Sequence, residues 1–211
     1  MSNYHFFGCS WTGWEKTNYV EELSKLVPEH NFYNWGQGGS SIALSTYLLD
    51  AVKKNYTDSD NYFIFQVTTP RRVSWWNEKF DEHALGSIKK IDTNYFKLPF
   101  HTVNNWWQGF SPSYLKDKSF SKYHKNYYSI NTDAVMHHEY KMHYSFAKNN
   151  SDYIFRHLAK KTDIIDDVKC IQDILDKQTY EKYLSDDNSH FAINGSKWQA
   201  QWIMKELRIG I

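Results

Sequence analysis

The chain has 211 residues, enough to bury one continuous core and too few for two comfortable ones, so a single domain over 1–211 with a single site is expected. Lys and Arg number 25 against 24 Asp and Glu, a formal net charge of +1 with the basic pairs scattered, which argues against nucleic acid as the main partner. Mean hydropathy is −0.72, yet 13 Phe, 16 Tyr and 9 Trp supply apolar area that such scales undercount, so the composition is globular and not disordered.

In chain order, "NYHFFG" predicts a buried first strand over 3–8, followed by a loop and a helix in "NYVEELSKLV" with Val20, Leu23, Leu26 and Val27 on one face. Pro28 closes that helix. "HNFYNWG" predicts a second strand that stops at "GQGGSSI". A helix then runs through Ile42, Leu44, Leu48, Leu49 and Val52, with Ser40 or Ser41 as its cap. "NYFIFQVTT" is the strongest strand signal and ends before Pro70. Strand, helix, strand, helix, strand within 69 residues is the pattern of a parallel sheet wrapped by helices. In such sheets ligands gather at the carboxyl ends of the strands.

From about residue 75 to 125 the pattern gives way to an aromatic-rich insertion containing Trp75-Trp76 and Trp106-Trp107, and long structured loops of this kind are often functional. Beyond it "SINTDAVMHHEYKMHYSFAKN" and "DYIFRHLAKK" read as helical, and "DVKCIQDIL" as a short strand running into a turn or helix. The tail "NGSKWQAQWIMKELRI" predicts a helix with Trp198, Trp202, Ile203 and Leu207 inward. No run approaches the roughly 18 apolar residues of a membrane span, and the N-terminus lacks the order of a secretory signal. The expectation is a cytoplasmic or virion-associated protein without a membrane partner. Cys9 and Cys170 are too few for a disulfide scaffold or a cysteine-based zinc site.

Three segments carry chemistry. "GCS" follows the first strand, "NWGQGGSS" follows the second, and "SDDNSH" stands just before the last helix. Asp187 and His190 are three apart, so one turn or a tight loop can set the carboxylate against the imidazole, fixing its tautomer and stabilising the ring when it takes a proton. A solvated loop pair is the plainer alternative. Cys9 and Ser10 both offer a nucleophile to a histidine base. Adjacent residues leaving a strand point to opposite sides, so only one of them can face His190.

Together, "GCS", "NWGQGGSS" and "DNSH" resemble the SGNH (GDSL-type) hydrolase superfamily, over residues 4 to about 72 and 183 to 207. The resemblance implies an α/β fold, a three-layer α/β/α sandwich with a central, mostly parallel sheet of the flavodoxin-like type. It also implies Ser10 as nucleophile and Asp187 and His190 as its partners. Ser10 and Gly39, five residues after Asn34, become the backbone oxyanion donors, and Asn34 and Arg71 lie where substrate would bind. Two departures stand out. Cys9 replaces the Asp of Gly-Asp-Ser, and "VTTPRR" replaces the Gly-x-Asn-Asp block whose Asn would supply a side-chain donor. Thr68, Thr69 or Arg71 is left to supply one.

Other candidates are weaker. "GQGGSS" lacks the Lys of a phosphate loop. His137, His138 and His143 lie on a predicted helix without a second cluster of carboxylates, so no metal is expected. Trp106 and Trp107 could stack against a sugar ring or form the insertion's own core. The expected function is that of a serine esterase acting on a small-molecule or glycan ester, such as a carbohydrate O-acetyl group, with no cofactor. The alternative is a catalytically weak or inactive domain that binds carbohydrate or serves as a structural module in a larger assembly such as a virion.

Overall fold

The computed structural model describes residues 1–13, 17–36, 40–68, 75–76, 100–101, 133–157, 165, 167–187 and 190–210. Four strands, β1 (Asn3–Phe7), β2 (Asn31–Asn34), β3 (Asn61–Val67) and β6 (Tyr153–Arg156), form a sheet in the order β2-β1-β3-β6 with every neighbouring pair parallel. A separate antiparallel pair joins β4 (Trp75–Trp76) to β5 (Phe100–His101), inside the segment read as an insertion. The described helices are α1 (Ser10–Gly13), α2 (Tyr19–Leu26), α3 (Ile42–Asn55), α4 (Asp133–Asn150), α5 (Ile171–Ile174), α6 (Lys177–Tyr183) and α7 (Ile193–Leu207).

The sheet is buried on both faces, as a parallel sheet covered by helices must be. Alternation along β1 sends Tyr4 and Phe6 into one core with α2 and α7, while Phe7 joins the other with α3 and α4. Phe6, Phe7, Phe65 and Phe155 are fully buried, each contributing about 1.5–3 kcal/mol relative to exposure. The result is an α/β fold in three layers, as the sequence pattern predicts.

Helix starts follow local chemistry. The Asn18 side chain accepts from Glu21 N at 2.9 Å to cap α2, and of the two candidate serines it is Ser41 that caps α3, accepting from Leu44 N at 3.2 Å. Two expectations are corrected. Leu26, assigned to the inward face of α2, is 44% exposed because it sits in the last turn, where the chain is already leaving the core. "DYIFRH" is not helical: Tyr153–Arg156 is strand β6, with Phe155 fully buried. Its aromatic and β-branched residues suit the parallel edge that β3 offers, and tertiary pairing overrides the helical spacing of the segment.

No helix among the described residues is long and apolar enough to cross a membrane.

Candidate active site

Strand β1 stops at Phe7, and Gly8 and Cys9 lead directly into the single helical turn α1, which places Ser10 at the carboxyl edge of the sheet. The amides of Thr12 and Gly13 both donate to Cys9 O, at 2.9 and 3.0 Å, and tighten this turn. Cys9 goes inward and packs in the core beside α2 and α7. Ser10 goes the other way, and its Oγ lies 2.8 Å from His190 Nε2.

His190 arrives from the opposite end of the chain. The segment after α6 folds back on itself: Leu184 and Phe191 form an antiparallel bridge, Ser185 N donates to His190 O at 2.7 Å, and Ala192 N donates to Tyr183 O at 2.7 Å. Phe191 is clamped beneath α7 by close approach of the helix. A side chain at Gly195 would bring its Cβ within 2.6 Å of the Phe191 ring and 2.8 Å of Tyr183 Cβ. The Thr17 hydroxyl donates to Phe191 O at 2.9 Å, tying this segment to the one that follows α1.

Asp187 completes the row. Its Oδ2 lies 2.6 Å from His190 Nδ1, and its Oδ1 accepts from His190 N at 2.9 Å and from the Ser185 hydroxyl at 2.6 Å. Every one of these contacts offers the carboxylate a hydrogen, so Nδ1 carries the imidazole proton and Nε2 presents its lone pair to the Ser10 hydroxyl. Ser10 is 5% exposed and His190 9% exposed, so the pair is largely removed from solvent.

Asn34, at the end of β2, braces the floor. Its Nδ2 donates to Thr12 O at 2.7 Å and to Asn18 Oδ1 at 3.3 Å, and its Oδ1 accepts from Gly36 N at 2.9 Å. Gly36 lies so close to α1 that a Cβ there would stand 2.7 Å from Gly13 N. Beneath them Thr12 donates to Gln66 Oε1.

Comparison with solved structures adds to this geometry. A member of the lipolytic protein G-D-S-L family from Veillonella parvula DSM 2008 superposes over 100% of this chain and 98% of its own, with a TM-score of 0.52 at 12% sequence identity. This chain has the G-D-S-L fold. At that identity the likeness is one of fold. A G-D-S-L family protein from Desulfitobacterium hafniense DCB-2 aligns over 97% of this chain and 99% of its own, at 14% identity and a TM-score of 0.39. No family model matches the sequence, and no curated protein matches it significantly.

On the G-D-S-L fold the site draws on the carboxyl edge of β1 and on the segment before the last helix. The structure brings Ser10, His190 and Asp187 together and sets Asn34 against the turn that carries Ser10. Gly39, Thr69, Arg71, Trp106 and Trp107 lie outside the described residues, as do the side chains of Trp75 and Trp76. Thr68, at the end of β3, accepts at its carbonyl from Tyr140 Oη at 2.7 Å, and its buried hydroxyl has no hydrogen-bond partner among the described residues. His143 faces Thr46 across α3 and α4, at 2.9 Å from its hydroxyl. No group of three metal-binding side chains occurs among the described residues.

Sequence reading missed two aromatic residues here. Trp11 follows Ser10 directly, and its ring lies 5.4 Å from that of His190. His157 stacks on Trp11 at 3.3 Å between ring centroids. Burial holds the His157 imidazole well below the ordinary histidine range, and the neighbouring His190 pushes it in the same direction. The only signal for Trp11 was its place beside Ser10; His157 lay hidden in a segment read as helix.

Proposed function

We propose that this protein is a serine esterase that hydrolyses a small acyl ester. The observation that carries this reading is the unbroken row Ser10 Oγ, His190 Nε2, His190 Nδ1, Asp187 Oδ2, with links of 2.8 and 2.6 Å, at the edge of the sheet where such folds bind ligands. Ser10 attacks the ester carbonyl as His190 takes its proton. Asp187 holds the tautomer and balances the imidazolium. The tetrahedral oxyanion is received by the backbone amides of Ser10 and Gly39, with Thr69 or Arg71 as a further donor. Collapse expels the alcohol, which takes the proton back from His190. Water then repeats the path on the acyl-enzyme and restores Ser10. None of these steps needs a metal or organic cofactor.

For substrate we favour an O-acetyl or similar short ester on a carbohydrate, with Trp106 and Trp107 as the stacking surface. The support is the abundance of aromatics in the insertion, since aromatic faces suit the apolar faces of sugar rings.

The wild-type protein should label with a fluorophosphonate probe and cleave p-nitrophenyl acetate. Ser10→Ala should lose labelling entirely and lower kcat/KM by about 10⁴-fold or more. Wild type that neither labels nor exceeds the Ser10→Ala rate would remove the esterase reading and leave a binding or structural module on the same fold.

A further inference from the structure

Trp11 is buried, and its ring neighbours those of two histidines of different character. On one face His157 stacks nearly parallel, at 3.3 Å and 25°. The His190 ring stands at 5.4 Å and 43°, tilted against the indole. Phe191 closes the group edge-on, at 5.2 Å and 90° to Trp11 and 4.7 Å from His157. His157 and Phe191 together pack the indole in place. Ser10, which precedes it, and Phe191, which follows His190, each tie it to the site through the chain.

An indole carries negative charge on its face, and a cation within about 6 Å of its centroid is attracted, most strongly where water is excluded. The ring of His190 meets both conditions. It is neutral in the resting arrangement and becomes an imidazolium only once it has taken the Ser10 proton. An interaction that appears with that charge lowers the barrier, whereas one equal in both states does not.

We propose that Trp11 is a positioning residue that stabilises the charged state of His190 by a cation–π contact, with His157 as the neutral ring that holds it in place. The inference rests on the reading of Ser10 and His190 as nucleophile and base. Among the described residues, the titratable groups around the histidine ring are Asp187 at Nδ1, Ser10 at Nε2 and His157 stacked on Trp11. A charged His157 would repel the imidazolium and compete for the same indole, and burial prevents this by keeping it neutral. Asp187 stabilises the cation through a hydrogen bond in the ring plane, and Trp11 acts on the ring from outside that bond.

The test is to replace Trp11 alone with tryptophans bearing one to four ring fluorines, which drain the face of charge while nearly preserving its size. The expected result is a stepwise fall in kcat on p-nitrophenyl acetate, about 2- to 30-fold across the series, with KM and melting temperature unchanged. In the same proteins the midpoint of the His190 ring titration, followed by NMR, should move to lower pH with each fluorine. A packing role alone moves neither quantity. Activity with both quantities flat across the series overturns the proposal and leaves the esterase reading intact. A protein without esterase activity whose His190 titration still follows fluorination supports the contact and removes the esterase reading.

Discussion

A buried polar atom without a partner costs stability, and among the described residues neither ring nitrogen of His157 has one. Both nitrogens lie in the interior, and the residue is 1% exposed. Burial of this kind, unsatisfied, costs about 1–3 kcal/mol per group. The ring itself is useful, because it stacks on Trp11 and meets Phe191 and Tyr180. His157→Phe keeps an aromatic ring of similar shape and removes both orphaned atoms. It should raise the melting temperature by about 4 °C or more in calorimetry, at roughly 2–4 °C per kcal/mol for a chain of this length. A lower melting temperature would mean that the nitrogens are satisfied in solution by something such as a bound water. The contact between Asp187 and the His190 ring was legible in the sequence because a spacing of three lets one tight turn bring the two together. His157 was not, since nothing in its neighbours along the chain says that it will be buried against Trp11.

At the scale of elements, the site is assembled by side chains that join segments, and Asn34 is the clearest of these. One amide reaches α1 through Thr12 O, the cap of α2 through Asn18 Oδ1, and the turn after β2 through Gly36 N. Asn34→Ala removes these bonds and should cost about 1–3 kcal/mol, a fall in melting temperature of roughly 2–12 °C. Asn34→Asp is the sharper test. It keeps the acceptor for Gly36 N but turns a carboxylate oxygen toward two other acceptors, so it should be less stable at pH 7 than Asn34→Ala. An aspartate variant as stable as wild type in thermal denaturation would show that the brace is not made. The sequence marked Asn34 as belonging to the second block but could not show its partners, because 22 residues separate it from Thr12 and 16 from Asn18. The strands were easier to read. β1 and β3 are fixed by dense apolar runs, whereas β6 has only four residues and becomes a strand by pairing with β3. Patterning within a segment cannot reveal an edge supplied from elsewhere.

Across the whole molecule, the layers were legible from the strand and helix rhythm of the first 69 residues, while the charge state of the interior was not. Three of the described histidines share a property that only the fold creates. His5 lies in the sheet core, where its Nδ1 accepts from Trp35 Nε1 at 3.1 Å and its Nε2 donates to Asn61 Oδ1 at 3.0 Å. Burial lowers its pKa, with the Asn61 bond opposing. Burial likewise lowers His143, opposed by Glu139, and lowers His157 well below the usual value. Each is neutral when folded and titrates near 6.5 when unfolded. Above about pH 6.5 both states are neutral and these groups leave stability independent of pH. As pH falls below that value the unfolded chain takes up protons that the folded chain refuses, so stability is lost progressively until each folded pKa is reached. The carboxylates held low by their partners, Asp167 by Lys148 and Asp176 by Thr179, add their own loss only in the more acidic range, as pH falls through about 4. The window from pH 7 to 5 therefore isolates the histidines. The melting temperature should be level between about pH 8 and 7 and decline steadily from 6.5 to 5, and His5→Gln, which cannot take up the proton, should show a shallower decline from a lower starting point. A wild-type profile that stays level down to pH 5 would mean that the interior accepts these protons without cost, contrary to a core in which His5 has an indole hydrogen pointed at its only lone pair.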